Sequence, residues 1–252
     1  MIANKDFSYE TYRHMLYSFQ DDGRIAVTFG QDLRGLSNYF LVRHDIDYSL
    51  QAALDMARVE ADLGINATYF VLLTSEWYNA LDADSIEAIR ELAGLGHEIG
   101  LHYDMAIIER LGRDPFRSLE KQADLLADVS GENIVSIAMH NPSISGEDPF
   151  REFEKYNNAY HSRFVEEISY FSDSAGAWRD NFAELLENGK FPDRFQILVH
   201  PLFWRETHHN RWDALDRVAE NARKRIGKLS HEAQSLWRNH AGVKAHDARN
   251  KV

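Results

Sequence analysis

The sequence predicts a single-domain α/β protein, a distorted (β/α) barrel of about seven parallel strands. Three observations carry that prediction. Short runs of aromatic and β-branched residues, at 39–42, 67–73 and 195–199, alternate with longer segments whose apolar residues recur every three or four positions. Such alternation is the mark of parallel strands joined by helical crossovers. Neither a Gly-, Ser- or Pro-rich linker nor an internal repeat divides the 252 residues. Polar residues also gather where the strands end, the edge at which parallel α/β proteins build their sites.

The elements follow in order. Residues 6–22 read as a helix, with Tyr9, Tyr12, Leu16 and Phe19 at helical spacing and Gly23 behind it. Residues 25–29 form a short strand and 30–38 a polar loop. The central strand begins at Tyr39 and runs into Arg43, His44, Asp45, Ile46 and Asp47, charges that read as the strand emerging from the core. Ser49 is a good N-cap for the next helix, whose stripe is Leu54, Ala57 and Ala61 and whose end is Gly64. Residues 67–73 suit a strand covered on both faces. Asp84 opens another helix, with Glu87 in capping-box position, and residues 97–102 make the following strand.

Asp114 and Pro115 start a helix with Phe116, Leu119, Ala123 and Leu126 on one face, closed by Gly131. Residues 134–139 are a strand, 140–149 a turn-rich loop, 168–171 a strand and 181–186 a short helix. The last strand, 195–199, ends at His200-Pro201, and residues 212–240 are helical with a polar tail. Residues 1–38 thus lead in, 39–204 carry the barrel, and 205–252 form a C-terminal helical segment.

Composition narrows the function. A formal charge of −12 argues against a general nucleic-acid binder, which needs net positive surface for phosphate. There are no cysteines, hence no disulfide, thiolate metal site or cysteine nucleophile. No apolar stretch reaches the length of a membrane span, and MIANKDFSYE lacks the basic and apolar regions of a secretory signal. The cytoplasm is the expected location.

Side chains alternate along a strand, so Asp45 and Asp47 share one face and His44 and Ile46 the other. Two close carboxylates repel unless a cation lies beside them. Two readings stay open here: a metal site with one carboxylate as ligand and the other as base, or a salt-bridged loop neutralised by Arg43. His102, His140, Asp173 and His200 are predicted at other strand ends, beside Asp45. Five such residues would be unusual as mere surface polarity. His97 faces away from His102 on a regular strand and reads as a buried, hydrogen-bonded structural residue.

RHDID followed by HEIGLH resembles the polysaccharide deacetylases, the NodB-like carbohydrate esterases. The resemblance covers about residues 41–204 and looks closest to the deacetylase-like proteins of O-antigen gene clusters, which share GLHYD, HNPS, SDS and HP elements. It implies that Asp45 is the base and that Asp47 and His102 are ligands of one divalent metal, zinc with cobalt or nickel as substitutes. It further implies His200 as the group that protonates the leaving amine, Asp173 as its tuner, and Trp178 as a pocket wall. Arg179 and Trp204 are added as substrate-binding residues, and for Trp77, Tyr78, Trp178 and Trp204 stacking on a sugar ring and packing in the core both stay open. There is a departure: the family's second motif carries another histidine where this chain has Ala106. His140 would restore the count of ligands for a hydrolytic zinc site, and Asp104 is the other candidate. The implied reaction is removal of an N-acetyl group from a sugar. The expected substrate is a nucleotide-linked sugar or a lipid-linked glycan at the inner membrane face. Two alternatives stand beside it: a catalytically silent relative that binds a glycan or partner, and a hydrolase of a small non-sugar amide.

Overall fold

In the computed structural model, which describes residues 6–21, 23–178, 182–207 and 210–249, the hub of the sheet is β2 (Tyr39–Ile46). One edge of β2 pairs first with β1 (Ile25–Val27) and then with β3 (Thr68–Leu72); the other pairs with β8 (Arg194–Val199). Beyond these lie β4 (Glu98–Tyr103), β5 (Ser136–Met139), β6 (Asn157–Asn158) and β7 (Ser169–Ser172), giving the order β6-β5-β4-β3-β2-β8-β7 with β1 beside β2. Every pairing is parallel. Among the described residues β6 and β7 do not pair with each other, so the barrel is open. Its concave side is bridged by Gln196 of β8, whose amide donates to the carbonyls of Ala159 and Phe164 beyond β6 at 3.4 and 2.8 Å. The distorted parallel barrel expected from the sequence is the fold.

The chain divides into two units, residues 1–211 and 212–252. The second consists of α9 (Arg211–Arg249). No helix among the described residues is long and apolar enough to cross a membrane.

Alternation along β2 separates two cores. Leu41 faces the smaller, concave one, with Phe29, Phe70, Ala138 and Phe164. Phe40, Val42 and Ile46 face the larger one, which is covered by α1 (Tyr9–Gln20), α2 (Leu50–Asp62), α3 (Ala83–Gly94) and α5 (Pro115–Ser130). The charged end of β2 does not emerge from the core as expected. All eight residues of the strand are buried, Arg43, His44 and Asp45 included. Local signals mostly hold: Ser49 caps α2 through the Ala52 N–H, Asp114 and Pro115 open α5, and Gly131 closes it at φ 80°. The opening of α3 is corrected, because Asp82, not Asp84, accepts from the third helical N–H (Ser85).

Gly100 on β4 is required by the concave core. A Cβ there would lie 2.5 Å from the Phe70 ring. Gly100→Ala is therefore expected to destabilise the fold by about 1–3 kcal/mol, read as a lower urea midpoint. An unchanged midpoint would mean that Phe70 moves freely.

Candidate metal centre

Parallel pairing brings the C-terminal ends of the strands to one edge. Asp47 follows β2, His102 is the penultimate residue of β4, His140 follows β5, Asp173 follows β7 and His200 follows β8. Neighbouring register sets Leu72 beside His102 and His102 beside Ala138.

Three of these residues converge. Asp47, His102 and His140 each offer a ligand atom, and the three atoms lie within 4.8 Å of one another. Asp47 Oδ1 is 3.3 Å from His102 Nε2 and 3.0 Å from His140 Nδ1, and the two imidazole nitrogens are 3.2 Å apart. Despite these approaches Asp47 Oδ1 is buried without a partner in hydrogen-bonding geometry. A buried, unsatisfied carboxylate oxygen facing two imidazole nitrogens fits a divalent cation. Burial opposes charge on Asp47, yet the adjoining imidazoles and His200 hold its carboxyl far below the usual carboxylate range.

Neighbouring groups orient these ligands. His102 Nδ1 donates to the Ala138 carbonyl at 2.9 Å, which leaves the lone pair of Nε2 toward Asp47. The Asn141 amide nitrogen, on a residue in the left-handed conformation at φ 45°, donates to His140 Nε2 at 2.8 Å, and a cation at Nδ1 requires that amide turned so that its oxygen accepts from Nε2–H. Asp104 is not part of the group. Its carboxylate caps α4 (Met105–Arg110) by accepting from the Ile107 N–H at 3.2 Å.

Asp45 sits beside the cluster, with Oδ2 3.7 Å from His102 Nε2. Both of its oxygens are also held by Arg43, Nε to Oδ1 and Nη2 to Oδ2 at 2.8 Å each. The salt bridge of one reading is therefore present at Asp45, while Asp47 stands in a group that could hold a metal ion. Burial raises the Asp45 carboxyl, but the charge and hydrogen bonds of Arg43 together with His102 and His200 outweigh that and hold it below its ordinary value. Arg43 in turn lies over the Tyr160 ring, 4.5 Å from its centroid.

The second conjunction is His200 with Asp173. The fully buried Asp173 carboxylate accepts from His200 Nδ1 at 2.6 Å, from the His200 backbone N–H at 3.0 Å and from Trp204 Nε1 at 2.9 Å. Burial alone would lower the imidazole; the bond to Asp173 and its charge outweigh burial and raise His200 to about 9.

Trp204 cannot contact substrate as expected. It is 1% exposed and packed against Phe7 and Tyr12, and its N–H serves Asp173. Trp178 is half-buried and stacks on Phe182 at 4.1 Å. Arg179 lies outside the described residues. The aromatics beside Asp47 and His140 are Tyr48 and Trp77, the second of them named from the sequence, with centroids 5.5 Å apart. They line a cleft of about 430 Å³ with Asp47, His140, Ala106 and Arg110. Ala106, at the position where the resembled family has its other histidine, contributes only a methyl group to that wall.

His44 and His97 belong to the opposite side of the sheet. Glu60 of α2 meets His44 Nε2 at 2.6 Å and accepts from Tyr69 at 2.7 Å and from Tyr12. His97 Nδ1 accepts from the Ala67 N–H at 3.1 Å and Nε2 donates to the Ala57 carbonyl at 3.0 Å, which fixes a neutral, structural imidazole.

No family model and no curated protein matches this chain. Solved structures do show likenesses. A carbohydrate esterase family 4 pseudoenzyme from Bacillus anthracis matches at 9% identity and a TM-score of 0.34, over 74% of this chain and 60% of that one. The deacetylase PplD from Streptococcus pyogenes matches at 14% and 0.42, over 77% and 81%. The peptidoglycan deacetylase PdaC from Bacillus subtilis matches at 16% and 0.40, over 83% and 99%. The chain thus spans about six-tenths of the length of the pseudoenzyme.

Proposed function

We propose that this chain is a metal-dependent hydrolase that removes an N-acetyl or similar acyl group from a sugar. The observation that carries this reading is the convergence of Asp47, His102 and His140 on one unsatisfied carboxylate oxygen, with Asp45 and the His200–Asp173 pair beside them. Asp47, His102 and His140 would hold the ion. A divalent cation held there, zinc being the natural candidate for two imidazoles and a carboxylate, supplies an acidified water and stabilises oxyanion charge.

The residues divide the remaining work. Asp45, ionised and fixed by Arg43, is the carboxylate left to accept a proton from the attacking water. His200 is protonated at neutral pH, and because Nδ1 is engaged by Asp173, Nε2 is the position that donates to the departing amine. Tyr48 and Trp77 offer faces for stacking on a sugar ring in the cleft beside the ligands. The substrate is a nucleotide-linked or lipid-linked glycan of surface-polysaccharide synthesis, in keeping with the resemblance to the O-antigen cluster proteins. A cytoplasmic location, peripheral to the inner membrane, belongs to the same reading.

His200 gives the test of the proton inventory. As the acid it must keep its proton, so activity is expected to fall as pH rises through about 9. Asp173→Asn removes the charge that raises the imidazole and should bring that alkaline limb down toward the ordinary histidine range, about 6.5. His200→Ala should cost about a hundredfold or more in turnover with metal content unchanged. If the limb does not move in Asp173→Asn, His200 is not the acid. Linkage gives a second reading of the same pair. Its stabilising contribution is fully present below the unfolded value, about 6.5, and is lost as pH climbs through the folded one.

A further inference from the structure

Helix α9 carries a solvent-facing apolar seam. Ile226, Leu229 and Leu236 are 64%, 58% and 68% exposed. They belong to a longer series, Leu215, Ala219, Ala222, Ile226, Leu229, Ala233, Leu236 and His240, that advances by strictly alternating steps of four and three residues. A straight helix drifts by about 20° per heptad against such a repeat, so the seam stays on one side only if the helix supercoils around another. Apart from Trp237, 73% exposed beside Leu236, the seam is narrow, the width of a coiled-coil contact and not the broad face by which a helix lies on a core or membrane. With 39 residues, α9 extends about 58 Å, and its large apolar side chains from Ile226 to Trp237 are exposed, a condition in which that stretch of helix is marginal in water.

We propose that α9 pairs with α9 of a second copy of this chain as an antiparallel coiled coil. The direction follows from volume and charge. Antiparallel pairing centred between Gly227 and Lys228 sets Ile226 against Leu229 of the second copy, Ala222 against Ala233 and Ala219 against Leu236. In the layer of Ala219 and Leu236 a large residue then meets a small one, while the Ala222–Ala233 layer stays narrow. In the same register Arg225 flanks the seam opposite Glu232 of the second copy, and symmetry repeats that pair. Parallel pairing would stack Ala219 on Ala219 and Ile226 on Ile226, alternating narrow layers with wide ones. It would also set Arg225 opposite Ser230 and Glu232 opposite Trp237, leaving Arg211 and Asp216 as the opposite charges across the flanks.

Sedimentation equilibrium of the full chain at micromolar concentration tests the pairing. The expected mass is twice the chain's 29.1 kDa. The variant Ile226→Asp/Leu229→Asp should sediment at half that mass with its near-ultraviolet circular dichroism unchanged. The direction is read by cross-linking, with no background because the chain has no cysteine. An oxidised mixture of Ala222→Cys and Ala233→Cys should join the two variants, whereas Ala222→Cys alone should remain largely unjoined. A monomeric unaltered chain overturns the proposal, and so does a dimer indifferent to the two aspartates. Efficient self-joining of Ala222→Cys overturns the antiparallel arrangement. A monomer that co-sediments with phosphatidylglycerol vesicles overturns it in favour of a membrane-surface helix.

Discussion

Asp47→Asn is expected to remove bound divalent metal and to lower sugar deacetylation by roughly three orders of magnitude or more, a loss of about 4 kcal/mol in transition-state stabilisation. Asp47 is the residue shared by both imidazoles, 3.3 Å from His102 Nε2 and 3.0 Å from His140 Nδ1. An amide in its place keeps the size but removes the charge that draws a cation between those nitrogens. Its removal should leave the fold intact, because the Asp47 oxygen that faces them holds no hydrogen bond. Excess metal should restore part of the activity. Thermal melts beside metal analysis check this: a variant that unfolds early yet keeps its metal would make Asp47 a structural residue.

Asp45→Asn is expected to show two large effects that can be separated. The first is on turnover, a fall of roughly two to four orders of magnitude with metal retained, because an amide cannot accept a proton. The second is on stability. Arg43 and Asp45 are 0% and 5% exposed, and removing one partner of a buried pair leaves the other charge uncompensated, at about 3–5 kcal/mol. Arg43→Met/Asp45→Asn removes both charges and should recover most of that stability while remaining inactive. If the double variant regains activity, Asp45 is only a counter-ion to Arg43 and the base is elsewhere. Loss of metal from Asp45→Asn equal to that from Asp47→Asn would make the two carboxylates joint ligands.

Strand ends were legible because each apolar run is long enough to reach its polar terminus, which placed Asp45, His102, His140, Asp173 and His200 on one edge. The Arg43–Asp45 pair was equally legible, since residues two apart on a strand share a face. The burial of both was not legible: charges at the end of an apolar run look like an exit from the core, and the concave core that covers them comes from distant segments around Phe70 and Tyr160. Trp204 misled for the same reason, its neighbours Phe7 and Tyr12 lying nearly two hundred residues away in sequence. The short elements α4, α7 (Ser162–Val165) and β6 carry too few residues to show a period. At α3 two aspartates two residues apart both suit an N-cap, and packing decided for Asp82.

The metal itself is the most direct measure of the account. Protein purified without chelator, stripped and then titrated with zinc, cobalt or nickel should take up close to one ion per chain. His140→Ala should bind far less, since the cluster would then retain only Asp47 and His102. Failure of the unaltered chain to bind any of the three ions would contradict the assignment of a hydrolytic metal centre and leave a catalytically silent relative in its place.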